Sequence, residues 1–281
     1  MKKTLLTVCL VWMCFSLSAQ KTLDLSGKWS FSIDRQDKGE KEKWFNHTLN
    51  DCIHLPGSMP EKLKGDEVTA KTRWTGSLYD SSYYYNPYME KYRKEGNIKF
   101  PFFLTPDKHY VGVAWYQKEV NVPADWKGER ILLFLERPHI ETTVWVNGQK
   151  AGMQNSLCVP HQYDITRYVR PGKCNITIRV DNRIKEINVG PDSHSITDQT
   201  QGNWNGIVGR ICLQTTPKTY FDDIQIYPEP EQKQARVKVV IKGAGTAKVK
   251  LSAESFNTDK KHIVPAIQQE IKLNKGVTET E

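Results

Sequence analysis

The sequence predicts an all-β chain, and three observations carry that prediction. Residues Glu141 to Gly148 alternate β-branched and aromatic side chains and end in Asn147-Gly148, a pair that tolerates the positive φ angles of a type I′ hairpin turn. From Val111 to Asn182 the chain reads as strand after strand, with that hairpin at the centre. After Pro217 the same pattern restarts. At 281 residues the chain has room for one large β domain or two smaller ones.

Taken in order, Met1 to Gln20 reads as a secretory leader. Lys2 and Lys3 form its positive start, Leu5 to Leu17 its apolar middle, and Ser18-Ala19 its small-residue end, with cleavage expected after Ala19. The apolar run is too short for a membrane span. Bulky residues before Cys14 argue against a lipid anchor there. The first strand is expected at Leu23 to Ile33, where Trp29, Phe31 and Ile33 alternate on one face. Asp37 to Lys43 is a charged loop, and Ile53 to Ser58 a short strand with a Pro-Gly turn.

Gly65 to Tyr110 is a long loop rich in aromatics: Tyr79, Tyr83, Tyr84, Tyr85, Tyr88 and Tyr92, then Phe100, Phe102 and Phe103. Long loops in compact domains tend to be functional. These rings either stack on sugar faces or pack the loop onto a sheet. Met89 to Glu95 is the one helical turn expected there.

Trp115 to Pro123 is a strand closed by its proline. Ile131 to Leu135 is apolar throughout and so buried on both faces. In the central hairpin, Thr142, Val144 and Val146 share one face while Thr143 and Trp145 share the other. Asp164 caps a brief turn. Asn175 to Asn182 turns Ile176, Ile178 and Val180 inward. Gly190 to Trp204 is a polar loop, and Gly206 to Leu213 a strand. Beyond it, Tyr220–Tyr227, Ala235–Ile241, Ala247–Ser255 and Gln268–Leu273 are four expected strands. Their spacing suggests an immunoglobulin-like sandwich. Only 63 residues run from Thr219 to the end, against about 100 for such a domain, so the chain is expected to stop inside it.

The formal charge is +8, or +6 without Lys2 and Lys3. That surplus is scattered, and no basic run with interleaved aromatics argues for nucleic acid. Cys52, Cys158, Cys174 and Cys212 remain after the leader. In an exported protein they permit disulfides, but without CxxC spacing they read better as small buried hydrophobes. The seven histidines, His262 among them, lack metal-ligand spacing. Asp192, His194 and Asp198 read as a hydrated loop in preference to a cation site. No phosphate loop or nucleophile elbow is present, and no cofactor is expected.

Several motifs stand in one order: Trp115-Tyr116, Val120 to Pro123, Val144 to Gly148, Asp164 to Thr166, Val180 to Asn182, and Asn205 to Arg210. That order resembles the N-terminal sugar-binding domain of glycoside hydrolase family 2, the family of β-galactosidases, β-glucuronidases and β-mannosidases. The resemblance implies a jelly-roll-like sandwich over residues 20–217 and a truncated immunoglobulin-like sandwich over 218–281. It also implies that the catalytic TIM barrel, with its two glutamates, is absent from this chain. Glu136, Glu141 and Glu186 receive no catalytic role.

In the family, an aspartate just before the Gly-Ile motif reaches the substrate pocket; Asp198 sits where it would be, as a substrate-binding residue. A carboxylate there accepts hydrogen bonds from sugar hydroxyls. A second family contact, an asparagine, is replaced by Phe100 ahead of Pro101, a departure from the β-galactosidase pattern. Trp204 and Asn205 read as structural.

The function expected is thus the non-catalytic front of a secreted, β-galactosidase-like glycosidase, periplasmic or extracellular. Its partners are a β-linked glycan and a C-terminal barrel. The alternative is a self-standing carbohydrate-binding module.

Overall fold

A computed structural model describes residues 20–76, 80–101, 103–185, 192–194, 196–254 and 263–280. The leader Met1–Ala19, Tyr79, Phe102, Glu186 and His262 lie outside the described residues.

The strands are β1 (Thr22–Asp24), β2 (Gly27–Asp34), β3 (Asp51–Leu55), β4 (Gly57–Ser58), β5 (Asp66–Glu67), β6 (Lys108–His109), β7 (Val113–Val122), β8 (Arg130–His139), β9 (Glu141–Val146), β10 (Gln149–Asn155), β11 (His161–Asp164), β12 (Gly172–Asp181), β13 (Gly206–Thr216), β14 (Tyr220–Glu229), β15 (Gln234–Glu254) and β16 (Ile263–Thr280). One sheet runs β1-β13-β8-β11, with β4 also paired to β13. The facing sheet runs β10-β9-β12-β7-β2-β3. From β7 onward the chain changes sheet at β8, β9, β11, β12 and β13, the alternation of a jelly roll.

Side-chain period explains the core. Ala114, Tyr116, Val120 and Val122 of β7 point inward, as do Val144 and Val146 of β9 and Ile176, Ile178 and Val180 of β12. Ile178 is paired with both Tyr116 and Val144, so three strands present one apolar row. Leu133, Leu135, Ile211 and Leu213 meet them from the other sheet. Burying a side chain of this size contributes roughly 1.5–3 kcal/mol. All of Ile131 to Leu135 is buried, as expected. On the outer face, Arg210 lies over the Phe134 ring at 5.1 Å.

The Asn147-Gly148 turn has φ of 49° and 78°, the positive pair of a type I′ turn. Trp145, on the hairpin's outer face, is also buried. Phe45 stacks on it at 5.1 Å and Trp115 packs beside it. The charged loop after β2 folds back to make this cover. Asp34 anchors it, accepting hydrogen bonds from the Lys38 and Gly39 N–H groups and from Trp115 Nε1.

The four cysteines are free thiols. Cys174 and Cys212 are buried in strands, and burial pushes the Cys174 thiol up to about 11.

The C-terminal part differs in detail from expectation. It is one three-stranded antiparallel sheet, β14-β15-β16. Two predicted strands merge into the 21-residue β15. Gly243 and Gly245, at positive φ, let the ladder shift register instead of turning. Val239, Ile241, Ile271 and Leu273 are buried against this sheet, while Ile224, Ile226, Ile263 and Ile267 are each more than half exposed.

Gly206 opens β13 at φ +148°, and a Cβ there would stand 2.5 Å from the Gly57 carbonyl oxygen. Gly206→Ala is expected to cost about 2–3 kcal/mol, from an unfavourable backbone and a clash with β4. Urea unfolding measures it; a cost below about 0.5 kcal/mol would show that β4 yields freely.

Candidate functional site

The loop between β12 and β13 carries Asp198, and its position follows from two asparagines in the strands' flanking motifs. Asn205, fully buried, donates from Nδ2 to the Gly112 and Val180 carbonyls at 3.0 Å each, and accepts from the Tyr116 hydroxyl at 2.7 Å. Asn182 donates to the Tyr110 carbonyl and to Asn203 Oδ1, and accepts from the Gly112 N–H. These amides satisfy backbone groups that the sheet leaves unpaired at its end. They fix where the loop leaves and re-enters the sandwich.

Asp198 is 1% exposed. Its Oδ2 accepts the Thr75 N–H at 2.6 Å and lies 3.3 Å from His109 Nε2. Its Oδ1 accepts the Asn203 N–H at 2.7 Å. The backbones pair too: the Asp198 N–H donates to the Thr75 carbonyl, and the Leu104 N–H donates to the Asp198 carbonyl. An ionised carboxylate has about four lone-pair sites, so these three partners leave acceptor capacity for a further hydroxyl.

Three of Asp198's partners, Thr75, Leu104 and His109, come from the long 65–110 segment. That segment is closed at its base by the β5–β6 ladder and carries the helical turn α1 (Ser82–Tyr85). A second turn spans Pro87–Tyr92, slightly earlier than predicted; the Asn86 side chain caps it by accepting the Tyr88 N–H. Trp74 stacks on Phe103 at 5.2 Å and packs against His109 at 4.8 Å. Tyr83 stacks on Phe100 at 4.6 Å. The segment therefore uses part of its aromatic content as its own small core. Phe100, where the resemblance implies an asparagine, is one of these packing rings and is 7% exposed. Tyr85 and Tyr88 are exposed.

Between this segment and the Asp198 loop lies a cleft of about 750 Å³. Phe103, Leu104, Asn97, Lys99, Gln201 and Trp204 are among its lining residues, with Asp198 in its wall. Trp204 has one face on the His139 ring at 4.6 Å. Its carbonyl accepts a hydrogen bond from His139 Nδ1 at 2.8 Å. A carbonyl only accepts, so Nδ1 carries the proton and Nε2 presents a lone pair.

Burial holds His139 down to about 4, against the opposing pull of the Trp204 carbonyl and the Asp198 charge. In the unfolded chain the same imidazole titrates near 6.5. Between those values the unfolded chain binds the extra proton. The stability this site contributes is therefore complete above pH ~6.5 and drains away as pH falls toward ~4, by about 3 kcal/mol in all. An imidazole NMR titration should find His139 neutral at pH 5; a midpoint near the ordinary value would contradict the burial argument.

The predicted acids behave as structural groups. Glu136 accepts from the Arg210 N–H and guanidinium, and Glu141 pairs with Arg179 and Lys185. Among the described residues, no three His, Cys, Asp or Glu side chains are arranged to hold a metal ion. Among them, too, no helix is long and apolar enough to cross a membrane. Thr75 and His109, Asp198's partners, carry no signal in the sequence, because they lie 123 and 89 residues away from it.

Comparison with known proteins places these features in context. Residues 22–217 match the family described as "Glycosyl hydrolases family 2, sugar binding domain". The chain is similar to the β-glucuronidase of Homo sapiens, at 27% identity over 263 residues, covering 85% of this chain and 35% of that protein. It is likewise similar to the β-glucuronidase of Paenibacillus borealis, at 26% identity over 218 residues, covering 72% and 30%. Among solved structures, the Ruminococcus gnavus β-glucuronidase superposes with a TM-score of 0.58 at 18% identity, over 93% of this chain and 39% of that one. The chain thus spans about a third of the length of these relatives, and it corresponds to their N-terminal part.

Proposed function

Because the chain belongs to glycoside hydrolase family 2 through its sugar-binding domain, we propose that it is the front portion of a retaining hydrolase of β-linked glycosides. In this reading residues 20–217 are the sugar-binding domain and 218–281 the start of an immunoglobulin-like domain. The two carboxylic acids of the reaction, one protonating the leaving oxygen and one attacking the anomeric carbon ~5 Å away, reside on a further barrel. Asp198 extends from this domain to hold substrate hydroxyls. The observation that carries the reading is the Asp198 loop itself. It is a carboxylate locked in place from both sides, with acceptor capacity left and a cleft beside it.

The relatives' names favour a β-glucuronide over the β-galactoside that the sequence suggests. The Phe100 departure also speaks against the galactoside. Met1–Ala19 serves as a secretory leader, so the enzyme works in the periplasm or outside the cell.

The test compares nitrophenyl β-glucuronide and β-galactoside. This chain alone should turn over neither, and the complete enzyme should hydrolyse the glucuronide faster. Turnover by this chain, abolished by one point mutation within it, would overturn the assignment of chemistry to a barrel. Micromolar glycan binding by the chain alone would favour the self-standing carbohydrate-binding module instead.

A further inference from the structure

We propose that the hollow lined by residues 66–75 and 109–111 is an anion site, which holds a carboxylate or sulfate group carried by a ligand. The inference goes beyond the role given to Asp198 and does not depend on it.

The hollow holds about 510 Å³, within the range usual for small-molecule sites, about 300–1,000 Å³. The β5–β6 ladder contributes Asp66, Glu67 and His109 to its wall. His109, 6% exposed, stands between the hollow and Asp198: it lines the one, and its Nε2 meets the other. No residue lines both this hollow and the cleft beside Asp198.

Charge is the first argument. The two acids of the wall are already engaged, Asp66 by Arg35 and Glu67 by Lys108. Its two cations, Lys71 and Arg73, are exposed and have no ion-pair partner among the described residues. Wall and ion-pair partners together thus set four cations against two carboxylates, or against three when Asp198 behind His109 is counted. The guanidinium of Arg73 offers a planar fork that fits two oxygens of one oxyanion.

Hydrogen bonding is the second. The Thr72 hydroxyl accepts the Thr69 N–H at 2.9 Å, and the Thr69 hydroxyl accepts the Lys71 N–H at 3.1 Å. Each hydroxyl keeps its own hydrogen to donate. Trp74 Nε1 is buried without a hydrogen-bond partner among the described residues, and an indole N–H only donates. Such an unpaired buried group calls for a cause. The spare capacity of this wall is therefore mostly donor. A sugar hydroxyl gives a hydrogen as well as taking one, whereas an oxyanion only takes. An oxyanion is the acceptor the wall lacks.

The experiment is an NMR titration of the full chain with methyl β-D-glucuronide, with glucose 6-sulfate, and with neutral methyl β-D-glucopyranoside. The two anions should shift the Trp74 indole N–H and the Thr72 and Arg73 amides in the millimolar range, and less so as salt rises. The neutral glucoside should leave them in place. Arg73→Gln and Lys71→Gln should each weaken anion binding by about three- to fivefold. Lys248→Gln makes the same charge change on the C-terminal sheet and should leave binding unaltered. Shifts with both anions support the shared oxyanion chemistry, and shifts with one alone identify its source as carboxylate or as sulfate. No shift with either anion overturns the proposal. So does an equal shift with the neutral glucoside, or an equal loss in Lys248→Gln, which would make binding a matter of net charge. The wild-type map decides even if a variant fails to fold. The readout involves no turnover, so this proposal and the glycosidase reading can fail separately.

Discussion

Asp198→Ala in the complete enzyme is expected to lower kcat/KM by about ten- to a hundredfold, the equivalent of 1–3 kcal/mol of substrate interaction. A carboxylate that accepts from sugar hydroxyls makes charge-assisted bonds, roughly twice as strong as neutral ones. The same substitution in this chain should destabilise it. It strips partners from the Thr75 and Asn203 N–H groups and from His109, in a place where Asp198 itself is 1% exposed. Each buried donor left unpaired costs about 1–3 kcal/mol. Asp198→Asn should behave almost as badly: whichever oxygen becomes NH₂ then faces a backbone N–H, donor against donor. Kinetics and urea unfolding read the two effects separately. Full activity in a well-folded Asp198→Ala enzyme would reduce Asp198 to a loop brace.

Arg179→Ala should produce a large loss of stability, about 3–5 kcal/mol. Arg179 lies on β12 and is nearly buried. Its guanidinium reaches Asp37 at 2.8 Å, Glu141 at 3.1 Å and Asp181 at 3.2 Å. Asp181 is fully buried and also meets Arg183 at 2.6 Å and Lys185 at 2.8 Å. Burial alone would raise its carboxyl; the hydrogen bonds from Arg183 and Lys185 outweigh that and hold it well below the usual carboxylate range. Its folded pKa is depressed, so the stability it contributes is present above the unfolded value near 4. It is lost only as pH falls through the lower folded value. Removing Arg179 leaves the buried Asp181 and the partly buried Glu141 short of counter-charge, which is the expensive way to break such a cluster. Chemical denaturation checks it; a change below about 1 kcal/mol would mean that Arg183 and Lys185 suffice.

Much of the sandwich was legible because period-two alternation is a local property. The Asn147-Gly148 turn, the wholly buried Ile131–Leu135 run and the inward Ile176, Ile178 and Val180 all follow from neighbours in sequence. What escaped was long-range. Trp145 sits on the outer face of its hairpin yet is buried, because a loop from a hundred residues earlier folds over it. β15 reads as two strands because two glycines interrupt its pattern, and only the partner strand shows that the ladder continues through them. At the candidate site Asp198 was legible as a residue but not as an environment. Thr75, His109 and His139 reach it, or its loop, only through the folding of the 65–110 segment and the end of β8.

The uncovered isoleucines of the C-terminal sheet have a practical consequence for anyone handling the chain. An oily plane on one side of a protein makes its colloidal behaviour depend on solvent more than its fold does. Sulfate or phosphate buffers, which strengthen the tendency of such planes to find each other, should drive the purified chain into concentration-dependent clusters. Ile224→Thr or Ile267→Thr should keep it dispersed without touching the jelly roll.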